Sequence, residues 1–453
     1  MINSSEYVQR RISLAKSINK PCLIILDSAP VLKVNDEALN KYRPDSDLLY
    51  FTGFSEPNSC FVALVNLVDP INQIKEVKDN PKPEQSTTIS CRMFVQSKDQ
   101  VDEQWHGPRE GINGTLLKYQ MDSVFDINEL YDLLKEWILD HRNQTIYFSS
   151  QNENSPAYQV IQDLYDIILT PDKNFFSPKK IMHQLRCQKS QTEINLIRRA
   201  CEISSQAHLK LINMAKDGMK EYQLEGAFIG DVMSHGCSGL AYPCTIGSGI
   251  NGTIIHYNHN KGTLREGELV VVDAGGEYQS YAADISRTWP VNGKFNDQQR
   301  LLYQIVFETQ QECLKMVKPG ALFENIQQKA VEIISRGLIE IGLLKGDFDE
   351  IIRQDASEPF YMHGIGHWIG IDVHDCPEFH IFNKPFLPGY CLTIEPGVYI
   401  SPHAKLNSFV DLTTFNKLIG IAVRLEDTVV VTEDGMEVLG TLPKEITFFE
   451  KKI

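Results

Sequence analysis

The apolar run Leu269-Val270-Val271-Val272 leads straight into Asp273, and after a turn near Tyr278 and Gln279 the chain returns through Tyr281-Ala282-Ala283 to Asp284. A run this apolar belongs in a core strand. The fold must therefore place two carboxylates against buried strands. In a hairpin centred between residues 278 and 279, Asp273 and Asp284 stand opposite each other with Cβ atoms about 5 Å apart. Like charges so placed are tolerated when a cation bridges them, when they share a proton, or when a bulge separates and hydrates them.

Two more acids sit in similar surroundings. Glu395 closes the apolar strand Cys391-Leu392-Thr393-Ile394 and precedes a Pro396-Gly397 turn. Glu426 lies in GIAVRLEDTVVV, where alternation puts Ala422, Arg424 and Glu426 on one face, so that Arg424 can orient Glu426 or compensate its charge. Taken singly, each Glu reads as a salt-bridged strand residue sooner than as a ligand. The run Tyr361–Asp375, YMHGIGHWIGIDVHD, adds His363, His367 and His374 among Gly364, Gly366 and Gly370. Alone it is either a Gly-rich loop with surface histidines or part of a site that binds metal and moves protons. Four carboxylates and an imidazole suit Mn2+, Co2+ or Zn2+ and exceed the needs of one ion. They point to a dinuclear site with ions roughly 3.5–4 Å apart.

A chain of 453 residues has room for two domains. With 59 acidic against 44 basic residues and a net charge of -15, nucleic acid and anionic membrane are excluded as the expected main partners. The ten cysteines form no CxxC pair and read as buried thiols of a reducing compartment. No apolar leader opens the chain and no run of about 18 apolar residues occurs, so a soluble, cytoplasmic protein is expected.

Periodicity predicts a helix over Tyr7–Ile18 and a buried strand over Pro21–Ala29. From Arg43 to Val65 it predicts a hairpin-like unit with strands Leu48–Phe51 and Cys60–Val65. A polar surface excursion over residues 70 to 89 follows, then a strand at Met93–Ser97 and a loop at Glu103–Gly111. Trp105 in that loop either touches substrate or packs beneath the loop. Helices at Ile127–Asp140 and Tyr158–Ile168 flank a strand at Thr145–Ser149, completing an α/β domain over residues 1–178. Ser190 to Glu193 is a capping box that starts a long helix to about Ala215, in a second domain over 179–453.

Together these motifs resemble those of the aminopeptidase P and prolidase family, the Xaa-Pro peptidases of the pita-bread fold. The family's five metal-ligand positions match Asp273 (VVDAGGEY), Asp284 (ADISRT), His367 (HGIGHWIG), Glu395 (TIEPGVY) and Glu426 (RLEDT). Its active-site histidines match His256 (IIHYN), His363 and His374, and its supporting residues match Arg424 and Tyr399. RPDSDLLYFTGFSEP, from Arg43, is similar to the N-terminal domain of the aminopeptidase P branch. The resemblance implies an α+β chain, an N-terminal α/β creatinase-like domain followed by a pita-bread catalytic domain. It implies metal-dependent hydrolysis between an N-terminal residue and a penultimate proline, with two divalent ions, Mn2+ first and Co2+ or Zn2+ as alternatives. Glu395 would also accept the proton of the attacking water, while His363 and His374 would steady the oxyanion or protonate the leaving nitrogen. It further implies peptide substrates and a homo-oligomer, dimer or tetramer, with Trp105 near a neighbour's site. The competing readings are an Xaa-Pro dipeptidase, a methionine aminopeptidase and a non-catalytic pita-bread binding protein. Residues 70 to 89 and 403 to 418 look longer than is usual for the branch.

Overall fold

The run Cys22–Asp27 forms β1, in which every residue is buried. The computed structural model describes residues 2–36, 38–68, 86–141, 144–165, 175–381 and 384–450. Contacts divide the chain into two units, Met1–Arg186 and Cys187–Ile453.

In the first unit β1 pairs antiparallel with β2 (Cys60–Val68), which pairs antiparallel with β3 (Ser86–Val95). Parallel pairings add β4 (Ser123–Asp126), β5 (Thr145–Ser149) and β6 (Phe175–Phe176), giving the order β4-β3-β2-β1-β5-β6. Leu23, Ile25, Val62, Phe94 and Ile146 share a core with Leu134 and Ile138 of helix Leu130–Asp140 and with Val160 of helix Pro156–Asp163. Ile24 and Leu26 are buried as well, so β1 is covered on both faces. Continuous apolar strands are the sequence signature of that arrangement.

Several local expectations fail. Leu48–Phe51 lies in helix Ser46–Thr52, not in a strand of a hairpin. The Asp45 side chain accepts the backbone N–H groups of Asp47 and Leu48, and Gly53 closes the helix at φ 74. These caps override the strand preference of the aromatic residues. Glu103–His106 is likewise helical, within Gln100–His106 and capped by Asp99. Trp105 is 79% exposed and does not pack beneath a loop. Strand β3 starts at Ser86, so the end of the expected 70–89 excursion is sheet, while residues 69–85 lie outside the described residues. The helix expected over Tyr158–Ile168 spans Pro156–Asp163, and residues 166–174 lie outside the described residues. The first unit runs past residue 178 to Arg186, whose guanidinium lies 2.6 Å from Asp47, both side chains buried.

The second unit opens on the capping box. Glu193 N–H donates to Ser190 Oγ, Ser190 N–H donates to Glu193, and helix Gln191–Met214 follows. Its strands are β7 (Gly239–Leu240), β8 (Thr245–Ser248), β9 (Leu269–Asp273), β10 (Gly276–Tyr278), β11 (Tyr281–Ala282) and β12 (Ser286–Pro290). Further along come β13 (Cys391–Ile394), β14 (Gly397–Tyr399), β15 (Ala422–Arg424), β16 (Asp427–Val431) and β17 (Met436–Val438). They form small sheets, β12-β9-β8, β11-β10-β7, β13-β16-β17 and β14-β15. The single strand expected through GIAVRLEDTVVV is split: β15 pairs with β14 and β16 with β13. The break faces Pro396, which has no N–H to donate. There Leu425 N–H bonds Pro396 O and Glu426 N–H bonds Ser286 O, which turns Glu426 toward β12. Residues 403 to 418 fold as a connection ending in helix Leu412–Leu418.

All ten cysteines are free and buried. Among the described residues no helix is long and apolar enough to cross a membrane.

Candidate metal centre

Strand β9 carries Asp273 out of the core, and the turn that follows differs from expectation. It is made by Gln279 and Ser280, at φ 48 and 68, a left-handed pair that suits a tight hairpin. The residue opposite Asp273 is therefore Ser286, not Asp284. A two-residue offset keeps Asp284 on the same face, because side chains alternate with period two. Both acids reach Tyr242, whose hydroxyl is 2.7 Å from Asp273 Oδ1 and 2.5 Å from Asp284 Oδ1. One phenolic proton satisfies one of these contacts; the other demands a shared proton or a cation.

Glu426 and His367 close on the same point. One ligand atom each from Asp284, His367 and Glu426 lies within 4.8 Å of the others. His367 Nε2 is 3.4 Å from Asp284 and 3.5 Å from Glu395. Its Nδ1 lies 3.0 Å from the Trp368 carbonyl, a contact that requires a proton on Nδ1. In the neutral ring the Nε2 lone pair then faces two carboxylates, which is repulsive unless a proton or a metal lies between them. Burial pushes the Glu426 carboxyl well above its usual range, with Asp284 and Glu395 adding to it. Burial also raises Glu395 to about 7, against the pull of His367. For His367 burial opposes charge, but Asp284 and Glu395 reverse it and lift the imidazole to about 9. A site that holds protons this tightly without a cation fits a divalent metal set of oxygens and one imidazole.

Asp273, Asp284, His367, Glu395 and Glu426 line one cavity of about 200 Å³, together with His256, His374 and Arg424. Arg424 is buried and does not bond Glu426 directly: it donates to Asp273 Oδ2 at 2.6 Å, to Tyr399 Oη at 3.0 Å and to Ser286 Oγ at 3.0 Å. Ser286 Oγ in turn donates to Glu426 at 2.7 Å. His363 is not among the residues that line this cavity, and its Nε2 lies 2.9 Å from the Tyr399 hydroxyl. Burial, aided by Arg424, lowers its imidazole to about 4. The ring of His374 packs against that of His367 with centroids 4.2 Å apart, and burial with the charge on His367 lowers it to about 4. His256 is exposed at the cavity.

Sequence reasoning missed Tyr242, Ser286 and Thr393. Thr393 Oγ1 accepts the His367 N–H, and Gly366 lies so close to Thr393 that a Cβ there would meet its carbonyl oxygen at 1.9 Å. Ser286 and Thr393 each lie two residues from an acid, Asp284 and Glu395 in turn, a signal that alternation could have supplied. Tyr242 is 31 and 42 residues from its two acids and carries no local signal.

Residues 195–433 match metallopeptidase family M24, and residues 7–147 match the aminopeptidase P N-terminal domain. The chain is 33% identical to the Xaa-Pro aminopeptidase of Escherichia coli, over 96% of this chain and 94% of that protein. It is 30% identical to the Xaa-Pro aminopeptidase of Haemophilus influenzae, over 98% of this chain and 96% of that protein. Among solved structures it is similar to E. coli aminopeptidase P with the inhibitor Pro-Leu, at TM-score 0.86 and 33% identity, covering 100% of this chain and 98% of the other. With a catalytic domain that matches over more than half its length and an N-terminal domain of the matching kind, the chain belongs to metallopeptidase family M24.

Proposed function

We propose that the chain is an Xaa-Pro aminopeptidase that hydrolyses the bond between an N-terminal residue and a penultimate proline. The observation that carries the reading is the convergence of Asp273, Asp284, His367, Glu395 and Glu426 on one cavity. These five residues would hold two divalent ions, Mn2+ in preference to Co2+ or Zn2+. When bound, the ions supply Lewis-acid polarisation and make water in the site more acidic.

The remaining chemistry belongs to the side chains. Glu395, which lines the cavity 3.5 Å from His367, would also take the proton of the attacking water. The Tyr399 hydroxyl accepts from Arg424 and gives its proton to His363 Nε2, whose Nδ1 faces the Gly364 carbonyl, so it holds those two side chains in place. The proline nitrogen cannot leave without a proton, and His363 and His374, neutral imidazoles near pH 7, are the candidates to relay it, with His256 holding the substrate at the exposed side of the cavity. Arg424 fixes the direction of the Asp273 carboxylate through a contact of 2.6 Å.

The ten free thiols support a reducing, cytoplasmic location. The exposure of Trp105 supports a dimer or tetramer in which this face is covered. The test is product analysis on Arg-Pro-Pro with and without added Mn2+, beside Asp273→Asn. Release of free Arg by the metal-loaded parent, and its loss in the variant, is expected. Cleavage confined to the dipeptide Arg-Pro would make the protein a dipeptidase instead.

A further inference from the structure

Beside the cavity, Lys189 and Asp375 form an ion pair at 2.7 Å with both side chains about 1% exposed. It is used by nothing in the chemistry above. Its place in the chain gives it a role.

The loop from Gly366 to Asp375 carries His367 at one end and His374 at the other, with no helix between them. The two ends are anchored differently. His367 is tied to β13: its N–H donates to Thr393 Oγ1 at 3.1 Å, its carbonyl accepts the Thr393 N–H at 2.9 Å, and Ile369 N–H donates to Cys391 O at 3.2 Å. The His374 end is fixed by Asp375, whose N–H donates to Trp368 O at 2.9 Å and whose carboxylate accepts from Lys189 Nζ. Gly370, at the bend, passes so near the pair that a Cβ would lie 2.4 Å from Asp375 Oδ2 and 2.8 Å from Lys189 Cε. The loop thus wraps around the pair. The Lys189 backbone is itself anchored, with its N–H on Gly389 O at 2.9 Å and the Ser190 cap of the long helix next in sequence.

Burying two charges costs desolvation that their attraction barely offsets, so an apolar pair of similar volume would stabilise the fold as well or better. What the ion pair adds is a tether, since a buried ammonium must stay within reach of its carboxylate, whose Oδ2 also accepts from Cys376 Sγ at 3.2 Å. We propose that Lys189 is a positioning residue: by holding Asp375 it fixes the His374 imidazole against His367. The inference rests on the peptidase reading, in which His374 faces substrate.

The test replaces the pair by apolar residues, Lys189→Met with Asp375→Leu, and compares it with His374→Ala and with the triple variant. Expected are an unchanged melting temperature, unchanged bound Mn2+ per chain, an unchanged KM on Arg-Pro-Pro, and a kcat lowered by about 10- to 100-fold. The losses should not multiply in the triple variant. A parent-like kcat in the paired variant, or losses that multiply, overturns the inference. Asp375→Asn, which keeps the shape and removes the charge, is judged by the same criteria if the paired variant does not fold. A second readout needs no turnover: in metal-free protein the His374 imidazole resonance, identified by its absence in His374→Ala, should shift in Asp375→Asn. An unmoved resonance refutes the positioning role. Lack of Arg release by the parent counts against the peptidase reading alone.

Discussion

The hydroxyl of Tyr242 stands 2.5 Å from Asp284 Oδ1 while it also touches Asp273, so a single phenol occupies the space between two carboxylates. When no metal is bound, this hydroxyl would take the part of a cation between the two acids. Tyr242→Phe should therefore destabilise the metal-free protein by about 1–3 kcal/mol, the cost of leaving a buried acceptor unpaired. Saturating Mn2+ should erase most of that difference. Urea melts with chelator and with metal measure both; an equal loss in the two conditions would show that the hydroxyl does not substitute for a cation.

The three histidines of the loop should separate by function. His367→Ala should lose bound metal, read by elemental analysis after dialysis, and activity with it. His363→Ala and His374→Ala should keep their metal and lose about 10²- to 10⁴-fold in kcat, the usual range for a general acid or base. Retention of full metal by His367→Ala would contradict its place in the centre.

Arg424→Lys retains a positive charge but not the planar fork that reaches Asp273, Tyr399 and Ser286 together. A fall of about 10- to 100-fold in kcat/KM is expected, since an ammonium cannot orient all three. Should Lys serve as well as Arg, charge alone matters at this position.

Stability of the metal-free protein should fall as the pH rises from about 6.5, the unfolded histidine value, to 9. The folded His367 imidazole holds its proton up to about 9, so its contribution is complete below 6.5 and disappears through 9. Glu395, raised to about 7, acts in the same direction, because the folded chain binds a proton that the unfolded chain has released. His363 and His374, lowered to about 4, act oppositely but only below 6.5. The expected loss is on the order of 2 kcal/mol. Chelator-treated melts at pH 6.5, 7.5 and 9 test it, and the slope should flatten in His367→Ala.

The acids were legible because each ends or follows an apolar strand, and apolar runs are read with little ambiguity. Their pairing was less so. The hairpin register was placed one residue early at its turn because Gln279-Ser280 carries no Asn-Gly or Asp-Gly signal, although it adopts the left-handed geometry those residues favour. Helix Ser46–Thr52 was read as strand because the aromatic residues were weighed above the caps at Asp45 and Gly53. Tyr242 lay beyond any local pattern, its partners being set by tertiary packing alone.

The complete burial of the thiols turns the chain into its own record of opening. Burial raises Cys22 in β1 and Cys391 in β13 each to about 12, so neither offers much thiolate while folded. An alkylating reagent would mark either one only when its surroundings come apart. Because Cys22 belongs to the first unit and Cys391 to the strand that leads into Glu395, peptide masses after timed labelling would date the opening of each unit separately.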